Sequence, residues 1–363
     1  MHRSFFFILC WLLCLLCPSP LPAQSQPQEE KEPQVLSLPE VPVGEVFAIK
    51  SSGFRNRENV DPVLIRQAVD RLVMQTTRQP SPSAAWASLI GPKDRVGLKV
   101  ATAGGSAFST HRAIVNAVVA GLRDIGIPPE RIVLWDRSVA DLKDAGFTNP
   151  SANYRVRWSY PGKGYSTKDV YISTVLGQLI WGDLDFTRRY SSFELSPGEK
   201  PRDNLSSNSH FAKVLTDEVD KVINLPILTA HASAGLGAAL YNMTIPNIDN
   251  WRRFTSGFAQ ADPAIAEIYS DPVVLDKVVL HILDGLVGQY AGGPEFQPNY
   301  AVAHGTLYAS RDPVALDTVA LRQIDEWRLQ AKMKPAARDA TWLQTAREYG
   351  LGNAGSGNVK FLP

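Results

Sequence analysis

Cysteine is nearly absent from this chain. The three cysteines, Cys10, Cys14 and Cys17, all lie near the N-terminus of a 363-residue sequence. A chain that loses this segment by processing contains no thiol. That excludes disulfides, a cysteine nucleophile and thiolate metal ligands, so neither an iron–sulfur cluster nor a thiolate-bound zinc is expected.

The first residues have the pattern of a targeting segment. Arg3 supplies a positive charge, an apolar run extends over Phe5–Leu16, and a proline-rich stretch ends at Ala23. This pattern predicts a signal peptide over residues 1–23, and the apolar run is too short to cross a bilayer. We therefore expect an exported protein, periplasmic or secreted, with no transmembrane segment after cleavage. The second interpretation is a lipoprotein acylated at Cys17. The bulky leucine directly before that cysteine argues against it.

The predicted mature chain also lacks an excess of either charge. The full sequence has 37 Lys and Arg against 36 Asp and Glu, and removal of Arg3 leaves 36 of each. A formally neutral chain gives no indication of a nucleic-acid partner. The six histidines include no HxH or HExxH spacing, so no metal site is predicted.

A single large domain behind a flexible leader is the predicted organisation. Residues 24–42 are rich in Gln, Glu and Pro and cannot form a core, so they are expected to be a flexible leader. Residues 43–363 are predicted to form one large α/β domain, a mostly parallel sheet with helices on both faces. A split into two lobes around a crevice is a variant of this fold. Residues 138–208 are less regular and are interpreted as an elaboration over the sheet edge or the site.

Hydrophobic spacing predicts the individual elements. An amphipathic helix is expected over residues 61–78, with Asp61 as its N-cap. A βαβ unit follows, with a strand over 95–100, a helix over 110–125 capped by Ser109 or Thr110, and a strand over 131–135. The other predicted elements are a strand over 170–172, a helix over 213–219, a strand over 222–228, a helix over 273–286, a strand over 306–309, a helix over 313–330 and a helix over 341–349.

The segment after the predicted strand 222–228 is the predicted ligand site. His231 follows this strand, and a run of small residues that includes Gly235 allows a ligand to approach the backbone. In open α/β sheets ligands bind beyond the carboxyl ends of strands. His231 could be a general base, a neutral metal ligand, or a half-buried histidine bonded to backbone. Tyr241 could donate a hydrogen bond, stack on a ligand or fill the crevice, and Asn242 could orient a ligand.

Three residues of the βαβ unit are predicted to lie at the same edge of the sheet. Lys99, near the end of a buried strand, could anchor a carboxylate or phosphate or could pair with Asp136 on the neighbouring strand. Asp136 could be a general base, a metal ligand or the partner of Arg137 in an ordinary ion pair. His111 lies at a helix N-terminus, where the helix dipole favours a neutral ring, and it could face the crevice or the solvent. Structural roles are assigned to His281, His304, Asp312 and Asp317.

Taken in order, these motifs match a known pattern. The pieces are Lys99, Ser109-Thr110-His111, Trp135-Asp136-Arg137, Asn224-Leu225-Pro226 with His231, Gly235 and Asn242, Ala291-Gly292-Gly293-Pro294, and Asp312 to Asp317. Over about residues 93–328 the chain resembles the bacterial family called domain of unknown function 362, in particular exported members without a ferredoxin module. A distant likeness to the nickel-pincer lactate racemases, in which a lysine holds the cofactor, is also noted. The resemblance implies no particular cofactor here, and the cofactor stays unknown.

The chain departs from the family pattern in the ligand segment. Relatives have Leu-Lys-Asp-His where this chain has Leu228-Thr229-Ala230-His231, and a threonine and Lys-Asn where it has Gly237 and Tyr241-Asn242. Relatives often have Lys-Val-Asn where it has Lys99-Val100-Ala101. A site built on two ammonium groups cannot keep its affinity for an anion when both are replaced.

Two functions therefore remain open. The first is an exported enzyme that acts on a small anionic or carbonyl metabolite, in which Lys99 anchors the anion, His231 moves the proton, and His111, Asp136 and Asn242 orient the ligand. The second is a catalytically altered or inactive relative that serves as a periplasmic ligand-binding or assembly protein, with Tyr241 occupying the crevice. The sequence names no substrate, reaction or oligomeric state.

Overall fold

The structure is a computed structural model that describes residues 44–56, 59–147, 153–186, 205–255, 261–353 and 359–363. The predicted signal peptide and leader lie outside these residues, as does part of the predicted 138–208 elaboration. All described residues fall in one compact unit, Leu38–Pro363. Within these ranges no helix combines the length and the apolar character that a membrane span requires.

A mostly parallel sheet forms the centre of the fold. Its strands run in the order β14-β1-β13-β12-β9-β4-β5-β6, and β13 is antiparallel to both of its neighbours. Strands β10 and β11 extend the sheet beside β12, whereas β2 pairs with β3 and β7 with β8 in separate ribbons. The strands are β1 (Val46–Lys50), β2 (Arg55–Asn56), β3 (Asn59–Val60), β4 (Val96–Val100), β5 (Ile132–Asp136), β6 (Arg155–Trp158), β7 (Tyr165–Gln178), β8 (Leu205–Ala212), β9 (Lys221–Leu225), β10 (Ile227–His231), β11 (Gly235–Leu236), β12 (Val278–Gln289), β13 (Ala301–Ser310) and β14 (Val359–Phe361).

Helices cover both faces of this sheet, so the predicted α/β fold is confirmed. Alternating strand residues separate two cores: Ile223 packs with α1, α2 and α3 on one face, and Val222 belongs to the core of α5, α6, α8 and α9 on the other. The helices are α1 (Pro62–Thr77), α2 (Pro82–Leu89), α3 (Arg112–Asp124), α4 (Val139–Asp144), α5 (Ala239–Met243), α6 (Ala264–Ser270), α7 (Pro272–Leu275), α8 (Pro313–Gln330) and α9 (Trp342–Glu348).

Helix starts with an aspartate before a proline were predicted correctly. The Asp61 carboxylate accepts from the backbone N of Val63 and Leu64, at 2.9 and 3.1 Å, and Asp312 caps α8 in the same way. The predicted cap of α3 is wrong, because His111 is the N-cap residue and makes no side-chain capping bond. Thr110 instead bridges two strand ends, since its hydroxyl accepts from Ala101 N and donates to Leu225 O.

The predicted helix over 273–286 is wrong. Helix α7 ends at Leu275, and the rest of the segment belongs to strand β12, which is buried on both faces. A continuous apolar run shows neither the helical nor the strand period, so the sequence alone does not distinguish a buried strand from a buried helix. His281 therefore lies on a strand. His304, predicted to precede a strand, lies within β13.

The predicted strand 222–228 is two strands. β9 ends at Leu225 and β10 begins at Ile227, because Pro226 between them has no N–H to donate to the ladder. His231 is therefore the last residue of β10 and does not follow the strand. Likewise, the edge strand predicted over 170–172 is part of the longer β7, and the predicted helix over 213–219 is a single π-helical turn, Val214–Glu218.

Candidate functional site

A cleft of about 550 Å³ opens at the carboxyl ends of β4, β5 and β10. Residues 101–103 after β4, Asp136 at the end of β5, and Arg137 and Asp141 beyond β5 form part of its lining. The end of β10, parts of the 237–246 segment, Trp251 and residues 292–295 complete the lining. Both the volume and the position at the sheet edge are typical of small-molecule sites in open α/β folds.

The structure brings only some of the predicted site residues to this cleft. His231, Asp136, Tyr241 and Asn242 line it. Lys99 lies beneath the lining and is completely buried. Gly235 and His111 are not among the lining residues, and Gly237 contributes the small-residue surface instead.

Lys99 is fully occupied by protein acceptors. Its Nζ donates to Val100 O at 2.7 Å, to Asp136 Oδ1 at 2.8 Å and to Asn242 Oδ1 at 3.1 Å. An ammonium group has three protons, so none remains for a ligand. Burial lowers the pKa of Lys99, and the Asp136 carboxylate opposes that shift. Of the two alternatives for Lys99, the geometry supports the pair with Asp136.

Asp136 is equally committed to the protein. In addition to Lys99, Oδ1 accepts from the backbone N of Arg137 at 2.8 Å, and Oδ2 accepts from both N and Oγ1 of Thr102, at 2.8 and 2.6 Å. Burial opposes ionisation, but the Lys99 charge and these donors hold the pKa of Asp136 below its ordinary value. The carboxylate therefore stays ionised, with its lone pairs directed to internal donors.

A chain of buried amides continues from Lys99 across the sheet. Asn242 accepts from Lys99 and donates through Nδ2 to Asn224 Oδ1 at 2.8 Å. Asn224 Nδ2 then lies 3.0 Å from His281 Nδ1, and the opposite ring nitrogen of His281 lies 3.2 Å from the Tyr269 hydroxyl. Burial lowers the pKa of His281 to about 3, so this ring is neutral. Each member fixes the orientation of the next, which makes Asn242 part of the framework of the site.

The imidazole of His231 is held in one tautomer. Its Nδ1 accepts from the backbone N of Ala234 at 3.1 Å and of Ser233 at 3.3 Å. A nitrogen that accepts two N–H groups carries no proton, so the proton of the neutral ring resides on Nε2. Burial lowers the pKa of His231 to about 4, so the ring is neutral at physiological pH. His231 therefore offers the cleft an Nε2–H donor. The ring of Tyr241 lies against it, with centroids 4.5 Å apart.

Arg137 is the cleft residue whose role the sequence reading missed. The predicted ion pair with Asp136 does not form, because Asp136 bonds only the backbone N of Arg137. The guanidinium lies 4.2 Å above the centre of the Trp251 ring instead. Among the described residues it makes no ion pair. Arg137 directly follows the carboxyl end of β5, and this position was the sequence signal for a cleft residue.

Two carboxylates complete the charges of the cleft. Asp141, on α4, has its pKa raised by burial and by the nearby carboxylates of Asp136 and Asp144. Glu295 is exposed, and it lies close enough to Tyr241 that its charge helps to raise the pKa of the phenol, for which burial is the main cause. The charge of Arg137 acts on the same phenol in the opposite direction. Tyr241 thus lies close to both a positive group, Arg137, and a negative group, Glu295.

His111 faces a different partner. Its backbone N and its Nδ1 lie 2.8 and 2.7 Å from the same carboxylate oxygen, Oδ2 of Asp284. Burial opposes protonation, but the Asp284 charge and hydrogen bond raise the pKa of His111 above its ordinary value. The Asp284 carboxylate thus acts on the pKa of His111 in the direction opposite to the helix dipole, from which a neutral ring was predicted.

Comparisons with known proteins identify a family and a similar solved structure. The model of a family described as domain of unknown function (DUF362) matches residues 96–322. No curated protein matches. Among solved structures, the crystal structure of a protein from Thermotoga maritima is similar at 11% identity and a TM-score of 0.40. The alignment covers 78% of this chain and 61% of that chain, so this chain spans less than two thirds of it. These matches give no support for the likeness to lactate racemases.

Proposed function

We propose that this protein, which belongs to the family of domain of unknown function 362, binds a small anionic or carbonyl-containing molecule in the cleft and does not transform it. The sequence leaves two functions open, an enzyme and a ligand-binding protein, and this proposal is the second of them. Export to the periplasm or the exterior is part of the same proposal. One observation carries it: three hydrogen-bond donors of the cleft lack an acceptor.

The three donors are the Nε2–H of His231, the hydroxyl of Tyr241 and the guanidinium of Arg137. None of them is hydrogen-bonded to another residue in the described part of the chain. His231 and Tyr241 are only 7 and 8% exposed, and both line the cleft. A ligand with oxygen acceptors can accept from these donors inside the cleft, and carboxylate or carbonyl oxygens suit all three donors.

The predicted catalytic groups are poorly equipped for proton transfer. Asp136 accepts from internal donors on both oxygens. His231 presents a protonated Nε2, and its basic nitrogen is engaged by the backbone N–H groups of Ser233 and Ala234. A pKa of about 4 also makes this imidazole a weak base near neutrality. A donor that orients a bound oxygen is the role that remains for His231.

Isothermal titration calorimetry with 2-oxo acids, 2-hydroxy acids and 2-amino acids tests the proposal. At least one class should bind, and Tyr241→Phe should weaken binding by roughly tenfold, since about 1–1.5 kcal/mol is expected for one such hydrogen bond. Tyr300→Phe is the matched control, because Tyr300 is exposed and does not line the cleft. NMR spectra of the incubated compounds should show no conversion.

Two results would contradict this function. If no compound binds at millimolar concentration, or if Tyr241→Phe behaves like Tyr300→Phe, the cleft is not the binding site. If a compound is converted and conversion is lost in His231→Gln, the protein is an enzyme and the first interpretation of the sequence is restored.

A further inference from the structure

The charges of the cleft bear on which small molecule it holds. Lys99 and Asp136 neutralise one another beneath the lining, at 2.8 Å. His231 is neutral. The remaining lining charges are one cation, Arg137, and two anions, Asp141 and Glu295. A ligand with only a carboxylate would bring a third negative charge to one guanidinium, and like charges at short range oppose binding.

We infer that the ligand is a small zwitterion of the amino-acid class. Its carboxylate binds the donor side of the cleft, which is His231, Tyr241 and Arg137, and its ammonium binds the acceptor side, which is the carboxylates of Asp141 and Glu295. This inference rests on the proposed function, because it concerns the same cleft. It narrows the ligand class from anionic or carbonyl-containing molecules in general to molecules that carry both a carboxylate and an ammonium group.

The donor side is preorganised for a carboxylate. The Arg137 guanidinium lies over the Trp251 ring, 4.2 Å from its centre, and its N–H groups suit a planar, two-oxygen acceptor. His231 and Tyr241 lie in ring contact with each other, 4.5 Å between centroids. The two side chains therefore line the same part of the cleft, where one carboxylate can contact both of them.

The acceptor side is held by the loop after β12. The buried side chain of Gln289 donates to Glu295 O at 3.0 Å and accepts from Gln297 N at 2.7 Å, so the backbone on both sides of the Glu295 carboxylate is fixed. The close approach of Gly293 to β10 holds the same loop, since a Cβ there would lie 2.0 Å from Ala230 O. Glu295 is thus kept beside the donor cluster, although its side chain reaches into solvent.

Asp141 supports the ammonium from the first turn of α4. Its carboxyl is half-buried on α4, where burial and the Asp136 and Asp144 charges raise its pKa. A hydrogen bond from Ser138 and the charge of Arg137 act in the opposite direction. Asp141 lines the cleft, so its carboxylate can pair with an ammonium that is bound there. A 2-hydroxy acid, with a hydroxyl in place of the ammonium, lacks that charge.

Matched ligand pairs test the inference. Calorimetric titrations compare alanine with lactate, leucine with 2-hydroxyisocaproate and phenylalanine with phenyllactate, on the full chain. In the pair that fits the cleft, the amino acid should bind at least about tenfold tighter, the factor that one well-placed charge pair supplies. Glu295→Gln and Asp141→Asn should each reduce this ratio, and Glu130→Gln, an exposed glutamate outside the cleft, should leave it unchanged.

The outcomes separate this inference from the proposed function. If the hydroxy acid binds as tightly as its amino acid, or if neither Glu295→Gln nor Asp141→Asn lowers the ratio, the zwitterion is wrong while the binding function stands. If neither member of any pair binds, and the 2-oxo acids also fail, both are wrong.

Discussion

Replacing Lys99 with methionine should lower the free energy of unfolding by about 3–5 kcal/mol, the usual effect of leaving one partner of a buried ion pair alone. Methionine fills the space of the lysine stem but cannot neutralise Asp136. The carboxylate would remain buried with only the donors of Thr102 and Arg137. The large effect follows from the place of Lys99, which is completely buried at the centre of the sheet.

Denaturant unfolding of three variants measures this effect. Lys99→Met combined with Asp136→Asn should recover part of the lost stability, because no uncompensated charge is left in the interior. Lys163→Met removes an exposed lysine and should change the free energy of unfolding by less than about 0.5 kcal/mol. If Lys99→Met proves as stable as Lys163→Met, Lys99 is not paired inside the fold and could serve as the ligand anchor after all.

The second large effect is expected at Asn242. Asn242→Leu keeps the side-chain volume but leaves a Lys99 ammonium proton and the Asn224 Oδ1 without partners. Each buried unsatisfied group is unfavourable by about 1–3 kcal/mol, so the free energy of unfolding should fall by about 2–6 kcal/mol. Asn299→Leu, at an exposed asparagine, is the matched control and should have a small effect.

A double-mutant cycle distinguishes a network from separate contacts. Lys99→Met and Asn242→Leu remove opposite ends of one hydrogen bond, so the double variant should lose less stability than the sum of the single variants. Strict additivity would show that the two side chains do not share this bond, and the framework role of Asn242 would be wrong.

The sheet was predictable where a helix with clear spacing separates two short apolar runs. The βαβ unit through β4, α3 and β5 has this pattern, and the pairing of Lys99 with Asp136 follows from neighbouring parallel strands that end together. Strand β12 was not predictable, since its apolar run lacks a period. The break at Pro226 was visible in the sequence, because proline cannot donate to a ladder.

The chemistry of the cleft was less predictable than its place. That His231 lies at the carboxyl end of a strand follows from the topology. That its Nδ1 accepts from Ser233 and Ala234 depends on the turn after β10, which no spacing in the sequence specifies. The contact of His111 was also not predictable, although its partner is distant and not local. Asp284 lies far along the chain, on a strand that was predicted as a helix.

The tautomer of His231 is the most direct measure of whether the cleft binds a ligand through donors or transfers protons. A long-range ¹H–¹⁵N correlation spectrum of the labelled protein, assigned with His231→Gln, reports which nitrogen carries the proton. We expect a neutral ring with the proton on Nε2 throughout the range from about pH 5.5 to 8, well above its pKa of about 4. A proton on Nδ1, or a titration midpoint near the ordinary histidine value of about 6.5, would contradict the donor role and restore His231 as a general base.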